Sequence, residues 1–153
     1  MSRVIFMCGP AGSGKTTYAR RLENQGMVRL SFDVELWRRG IRTVPPPRGV
    51  HEEIEAALRT QLLELVASGA DVVLDFSFWS RRMREDYRAL LVSAGVVPET
   101  VYLATDRAAV LDRVRRRGGK HSDDHLLTEE LAAQYFDQFE PPSADEGPLT
   151  VVP

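Results

Sequence analysis

Apolar residues along the chain come in short continuous runs separated by stretches of helical periodicity. Val4-Ile5-Phe6-Met7-Cys8 is an unbroken apolar run of strand length, the pattern of a strand buried on both faces. Thr16 to Gln25 then reads as a helix with Tyr18, Ala19 and Leu22 on one side, stopped by Gly26. Met27 to Phe32 is a second strand, ending at Asp33, and Val34 to Arg39 a brief helix before Gly40. Pro45-Pro46-Pro47 excludes helix and central strand, so Ile41 to Gly49 is predicted to be an exposed connection. A docking segment for a protein partner is the other reading of these prolines. From Val50 to about Ser68, Ile54, Leu58, Leu62, Leu65 and Val66 recur at helical spacing, and Gly69 supplies the stop.

The second half repeats the alternation. Asp71 to Asp75 predicts a strand, Ser80 to Ala94 a helix with Met83, Tyr87, Leu90 and Leu91 inward, and Thr100 to Ala104 a strand. Arg107 to Arg117 predicts a helix ending at Gly118-Gly119, and Thr128 to Phe139 another, with Leu131, Ala132, Tyr135, Phe136 and Phe139 on its apolar side. Leu149 to Val152 is a last strand. Strands alternating with helices imply parallel pairing through right-handed crossovers. The expected architecture is therefore a three-layer α/β domain with its ligand at the carboxyl ends of the strands.

Composition narrows this picture. At 153 residues, with 43% hydrophobic and 27% charged positions, the chain suits one domain over residues 1–153. A net charge of −2 argues against general adhesion to nucleic acid or anionic membrane. Cys8 stands alone, which removes disulfide and zinc frameworks and suits a reducing compartment. No segment approaches the roughly 20 apolar residues of a membrane span, and the chain opens on a core strand rather than a cleavable signal, so the expected location is cytoplasmic.

The chemistry begins between the first strand and the first helix. Gly9-Pro10-Ala11-Gly12-Ser13-Gly14-Lys15-Thr16-Thr17 fits the G-x-x-x-x-G-K-S/T phosphate loop in full and in its required context. Glycines let successive N–H groups turn inward toward phosphate oxygens at the positive end of the next helix. Lys15 reaches the β- and γ-phosphates, and the Thr16 hydroxyl is placed for Mg²⁺. Asp75, after three apolar strand residues, matches a Walker B carboxylate holding the same metal; a turn aspartate is the bland alternative. Asp33 suits the carboxylate that orients an attacking hydroxyl and accepts its proton, or a helix N-cap, with Glu35 and Glu52 as substitutes in the first role. His51 reads as a surface residue, with a second acid-base group as the other reading.

Arg81, Arg84 and Arg88 share a helical side, and with Arg82 they suit either an anion clamp or a solvated face paired with Glu85 and Asp86. Arg81 and Arg84 are the candidates for acceptor contact. Phe76, Phe78, Trp79 and Trp37 lie beyond strand ends, where they line a pocket or fill the core. Arg113 and Arg117 are four apart, and the Arg113 to Arg117 run, followed by Lys120, His121 and a polar stretch, predicts a lid over about 113–127 that carries positive charge onto the transferring phosphoryl group. A nucleic-acid patch is disfavoured there by Asp123-Asp124 and the lack of aromatic residues.

With these residues in view, the chain resembles the small P-loop kinases of the AAA-domain type, a group related to chloramphenicol phosphotransferase, zeta-toxin kinases and polynucleotide kinases. The resemblance rests on Gly9 to Thr17, Asp33, Val72-Val73-Leu74-Asp75 with Arg81 and Arg84, Arg113 to Arg117, and Phe139-Glu140-Pro141-Pro142 with Asp145-Glu146-Gly147. It implies a P-loop kinase fold with a five-stranded parallel sheet in the order 2-3-1-4-5, ATP and Mg²⁺ as cofactors, and phosphorylation of an acceptor hydroxyl. It also implies that Asp33 is the general base, that Arg113 lies over adenine and that Arg117 contacts phosphate. The expected partners are ATP and a small hydroxylated acceptor. A nucleotide-dependent switch acting on a protein partner and a polynucleotide 5′-kinase are the alternatives.

Overall fold

A computed structural model describes residues 2–42, 46–116 and 128–153. Arg117 and the predicted lid from 117 to 127, with Gly118, Gly119, Lys120 and His121, lie outside the described residues, as does Pro45. The elements are β1 (Val4–Cys8), α1 (Lys15–Asn24), β2 (Val28–Ser31), α2 (Phe32–Arg38), α3 (Val50–Ala67), β3 (Val72–Asp75), α4 (Arg81–Val92), β4 (Glu99–Leu103), α5 (Arg107–Arg116), α6 (Glu129–Gln138) and β5 (Leu149–Val152), with a 3₁₀ turn at Ala144–Glu146. Every strand pair is parallel and the sheet order is β2-β3-β1-β4-β5, the predicted one.

Side-chain alternation divides the core between the two faces of this sheet. Val4, Phe6 and Cys8 of β1 join Val72 and Leu74 against α3 and α4, whose Ile54, Leu58, Leu62, Tyr87 and Leu91 close that layer. Ile5 and Met7 face the other way with Val73, Val101 and Leu103, under Ala19 and Leu22 of α1. All five residues of β1 are buried, which is why its sequence is continuous rather than alternating.

Two departures from the predicted elements matter for the site. The Ser31 hydroxyl accepts the Val34 N–H at 3.3 Å, so β2 stops at Ser31 and α2 starts at once. Asp33 consequently sits in the first turn of α2, and the N-cap is Ser31. The second departure concerns α4. Its inward side is Arg84, Tyr87 and Leu91, so a guanidinium occupies a core position.

Arg84, expected from the sequence to face an acceptor, is fully buried and does not line the cavity described below. Its Nε and Nη2 donate to the two carboxylate oxygens of Glu146 at 2.8 and 3.3 Å, and its Nη1 donates to the Phe78 carbonyl at 2.7 Å. Arg88 adds a contact to Glu146 at 3.4 Å, while Arg81 pairs with Glu85 and Asp145, each at 3.0 Å. The helical spacing of Arg81, Arg84 and Arg88 thus puts them on one side, but that side meets the 3₁₀ turn before β5. The effect is to pin the β3–α4 connection, where Phe78 holds φ 50°, a conformation that bulky side chains avoid.

Burial of Glu146 opposes its charge, but hydrogen bonds from Arg84 and the Ser143 N–H, with the charges of Arg84 and Arg88, outweigh it and hold its carboxyl down at about 2. A depressed carboxyl stabilises the fold fully above its ordinary value, and that contribution is lost as pH falls from about 4.5 toward 2. Glu146→Gln is expected to cost about 3–5 kcal/mol at pH 7, because Arg84 is left buried without its counter-charge. Urea unfolding of both proteins from pH 7 to 2 should show the difference shrinking across that acid window.

Candidate active site

The phosphate loop is held by its carbonyl groups. Ser77 and Gly9 are joined twice, through the Gly9 N–H to the Ser77 carbonyl at 3.1 Å and the Ser77 hydroxyl to the Gly9 carbonyl at 3.0 Å. Thr105 donates to the Ser13 carbonyl at 2.6 Å, and Arg113 Nη1 to the Gly12 carbonyl at 3.3 Å. With these acceptors tied to neighbouring elements, the concave side of the loop is left to N–H groups. Gly12 has φ +85°, and a Cβ there would lie 2.8 Å from the Val110 carbonyl of α5. Only glycine allows the loop to seat this closely. Gly14 has φ +99° and caps α1 without a side-chain hydrogen bond, so the first-turn N–H groups that begin with Lys15, Thr16 and Thr17 are available to an anion.

Thr16 and Asp75 meet, as the motif requires. The Thr16 hydroxyl donates to Asp75 Oδ2 at 3.1 Å. The same oxygen accepts from Arg29 Nε at 3.0 Å and Nη2 at 2.7 Å, and both side chains of this ion pair are buried. In the parallel register Ser31 stands beside Asp75 and Arg29 beside Val73, so Arg29 reaches two residues along one face of the sheet. Asp75 Oδ1 is enclosed and has no hydrogen-bond partner. The described residues contain no group of three or more His, Cys, Asp or Glu able to hold a metal by themselves. Thr16 and the unpartnered oxygen of Asp75 do fit a divalent cation that completes its shell with phosphate oxygens and water.

One cavity of about 600 Å³ joins these parts. Ala11, Lys15 and Asp75 line one end, and Lys15 is itself buried. Asp33 and Phe32 of α2, Phe76 and Trp79 after β3, Tyr135 of α6 and Phe139 just after it continue the wall. Phe76 and Trp79 therefore line the pocket, whereas Phe78 is core, stacked on Phe6 at 4.3 Å, and Trp37 lies under the Arg42 guanidinium at 3.7 Å. Glu35 pairs with Arg38 at 2.8 Å, and Glu52 is exposed and does not line the cavity.

The cationic residues of this wall are not the expected ones. Arg81 and Arg84 are absent from it, while Arg82, from the opposite side of α4, and Arg59 of α3 line it. His51 is exposed but also lines the cavity, stacked on Phe32 at 5.0 Å. His51, Glu55 and Arg59 form a stripe of every fourth residue beside the buried stripe of Ile54, Leu58 and Leu62. That spacing was readable in the predicted helix, but which polar stripe faces a ligand was not. Arg29 also had a signal, as a single charge inside a short strand.

Comparison with known proteins agrees with this geometry. The family model described as an AAA domain matches residues 4–142. A UPF0200 protein of Pyrobaculum aerophilum is 34% identical over 133 residues, covering 82% of this chain and 71% of that protein. A chain in the Pnkp1/Rnl/Hen1 RNA repair complex superposes with a TM-score of 0.77 at 15% identity, over 90% of this chain and 43% of that one. The present chain thus spans less than half of that neighbour. A gluconokinase from Sinorhizobium meliloti superposes at 0.67 with 21% identity, over 98% and 81%. The fold is that of P-loop kinases, which implies nucleotide binding.

The Arg29–Asp75 pair gives a direct test. Arg29→Met leaves a buried carboxylate without its cation and is expected to cost about 3–5 kcal/mol in urea unfolding. Adding Asp75→Asn should recover a large part of that loss. Simple additivity of the two changes would show that the residues do not act as a pair.

Proposed function

The chain belongs to the AAA domain family, and from that premise we propose that it is an ATP- and Mg²⁺-dependent kinase that transfers the γ-phosphoryl group to a hydroxyl of a small-molecule acceptor. The observation that carries this reading is the single cavity lined by Lys15, Asp33 and Asp75. It extends past the phosphate end into an aromatic-walled space with room for a second molecule. An ATPase acting only as a switch needs no such space.

In this reading Lys15 and the first-turn N–H groups of α1 hold the β- and γ-phosphates, and Asp33 holds the acceptor hydroxyl. The acceptor oxygen bonds to the γ-phosphorus as the bond between that phosphorus and the β,γ-bridging oxygen breaks. The hydroxyl proton passes to the Asp33 carboxylate, and ADP leaves. With Ser31 as the α2 cap, Asp33 is not needed for capping, which favours this role. Magnesium at Thr16 and Asp75 would supply charge compensation for the phosphates. Arg113, already on the loop at Gly12, is assigned to the nucleotide side. The lid carrying Arg117 is proposed to exclude water from the closed site.

The gluconokinase likeness is in keeping with a small polyhydroxylated acceptor, and the RNA repair likeness with a polynucleotide. Of these we favour the small molecule, because a chain with a net charge of −2 has no general attraction for a polyanion. The described residues include no helix long and apolar enough to cross a membrane.

Transfer from labelled ATP to a library of hydroxylated metabolites, read by mass spectrometry, should find an acceptor that raises ADP release severalfold. Lys15→Ala is expected to abolish nucleotide binding or turnover. Asp33→Asn should bind ATP normally and lose at least 100-fold in transfer, the range of general-base catalysis. Undiminished transfer by Asp33→Asn would remove it as the base.

A further inference from the structure

Two arginines whose side chains are buried in this protein are paired with carboxylates. Arg29 has Asp75 at 2.7 Å and Arg84 has Glu146 at 2.8 Å. Arg59 is different. It lines the cavity and is half-buried, and among the described residues its Nε is enclosed without a hydrogen-bond partner and no carboxylate forms an ion pair with it.

Glu55, one helical turn away, does not fill that role. It accepts instead from the Tyr87 hydroxyl at 3.4 Å. The Arg59 guanidinium lies over the Tyr87 ring, 4.7 Å from its centre, and Tyr87 is fully buried among Phe6, Phe76 and Phe78. The cation is therefore laid on a rigid aromatic side chain, whose ring face and hydroxyl meet its charge only in part. A guanidinium fork with an unmet buried donor is a standing cost that a planar or tetrahedral oxyanion would remove.

We propose that Arg59 is the anion-binding residue of the acceptor site, so that the acceptor carries a carboxylate or a phosphate besides its reacting hydroxyl. The word acceptor rests on the kinase reading above; the anion site itself does not. Arg59 lies eight residues beyond His51, about 12 Å further along α3, and shares the cavity with Asp33. A molecule anchored at Arg59 therefore presents its other end toward the carboxylate and the phosphate loop, along the wall that includes Phe32 and Phe76, themselves packed edge to face.

Matched aromatic probes test this on the full chain saturated with ADP and magnesium, which fill the phosphate end. Sodium benzoate and phenyl phosphate should each bind at least tenfold more tightly than benzyl alcohol in a calorimetric titration, and the better of the two identifies the anion. Their binding should shift the Arg59 Nε–H resonance in the wild-type protein, and benzyl alcohol should not. Arg59→Met should lower anion binding about tenfold and leave ADP and benzyl alcohol binding unchanged. Equal affinity for anion and alcohol in the wild type, no shift at Arg59, or an anion preference retained in Arg59→Met would each overturn the proposal. Anion preference without any phosphoryl transfer would instead count against the kinase reading alone, and transfer to neutral alcohols without anion preference against the anion site alone.

Discussion

A carboxylate sealed between three elements is the constraint on which the site depends. Asp75 ends β3, yet its charge is met by Thr16 from the first turn of α1 and by Arg29 from the edge strand β2. Desolvating such a charge is expensive unless its partners are held in place. The strand order, the start of α1 and the length of β2 must therefore all be correct for Asp75 to meet these partners. Its second oxygen is enclosed and has no hydrogen-bond partner among the described residues, and Asp75 lines the cavity together with the phosphate loop.

A second buried pair governs the opposite wall. Arg84 draws the Phe78 carbonyl and Glu146 together, and so ties the connection after β3 to the turn before β5. Ser77, one residue before Phe78, is bonded twice to Gly9 at the start of the phosphate loop. The loop, the carboxylate and the aromatic wall thus share one mechanical frame. Against it lies Arg59, whose guanidinium rests on the Tyr87 ring in the wall of the cavity.

The phosphate loop was legible in the sequence because its chemistry is local. Glycine conformations, the lysine and the threonine all lie within nine consecutive residues. Asp33 and Asp75 were legible as candidates, since each follows a strand in a fold whose strands end at the ligand. Their surroundings were not: Ser31 rather than Asp33 caps α2, and Arg29 meets Asp75 only through the register of β2 on β3. The arginines of α4 show the same limit. Their common side followed from helical period, but whether it faced ligand, solvent or another carboxylate depended on where the chain before β5 returned.

By itself, then, the sequence determined the alternation of strands and helices, the phosphate loop and the carboxylates at strand ends, because each is written in residues close together in the chain. Tertiary structure decided which charges are spent on one another and which remain for a ligand. Arg84 was taken by Glu146, 62 positions away, and Arg29 by Asp75, 46 positions away, while Arg59 was laid against Tyr87. Ion pairing over such separations is fixed by strand order and helix rotation, which no local pattern encodes.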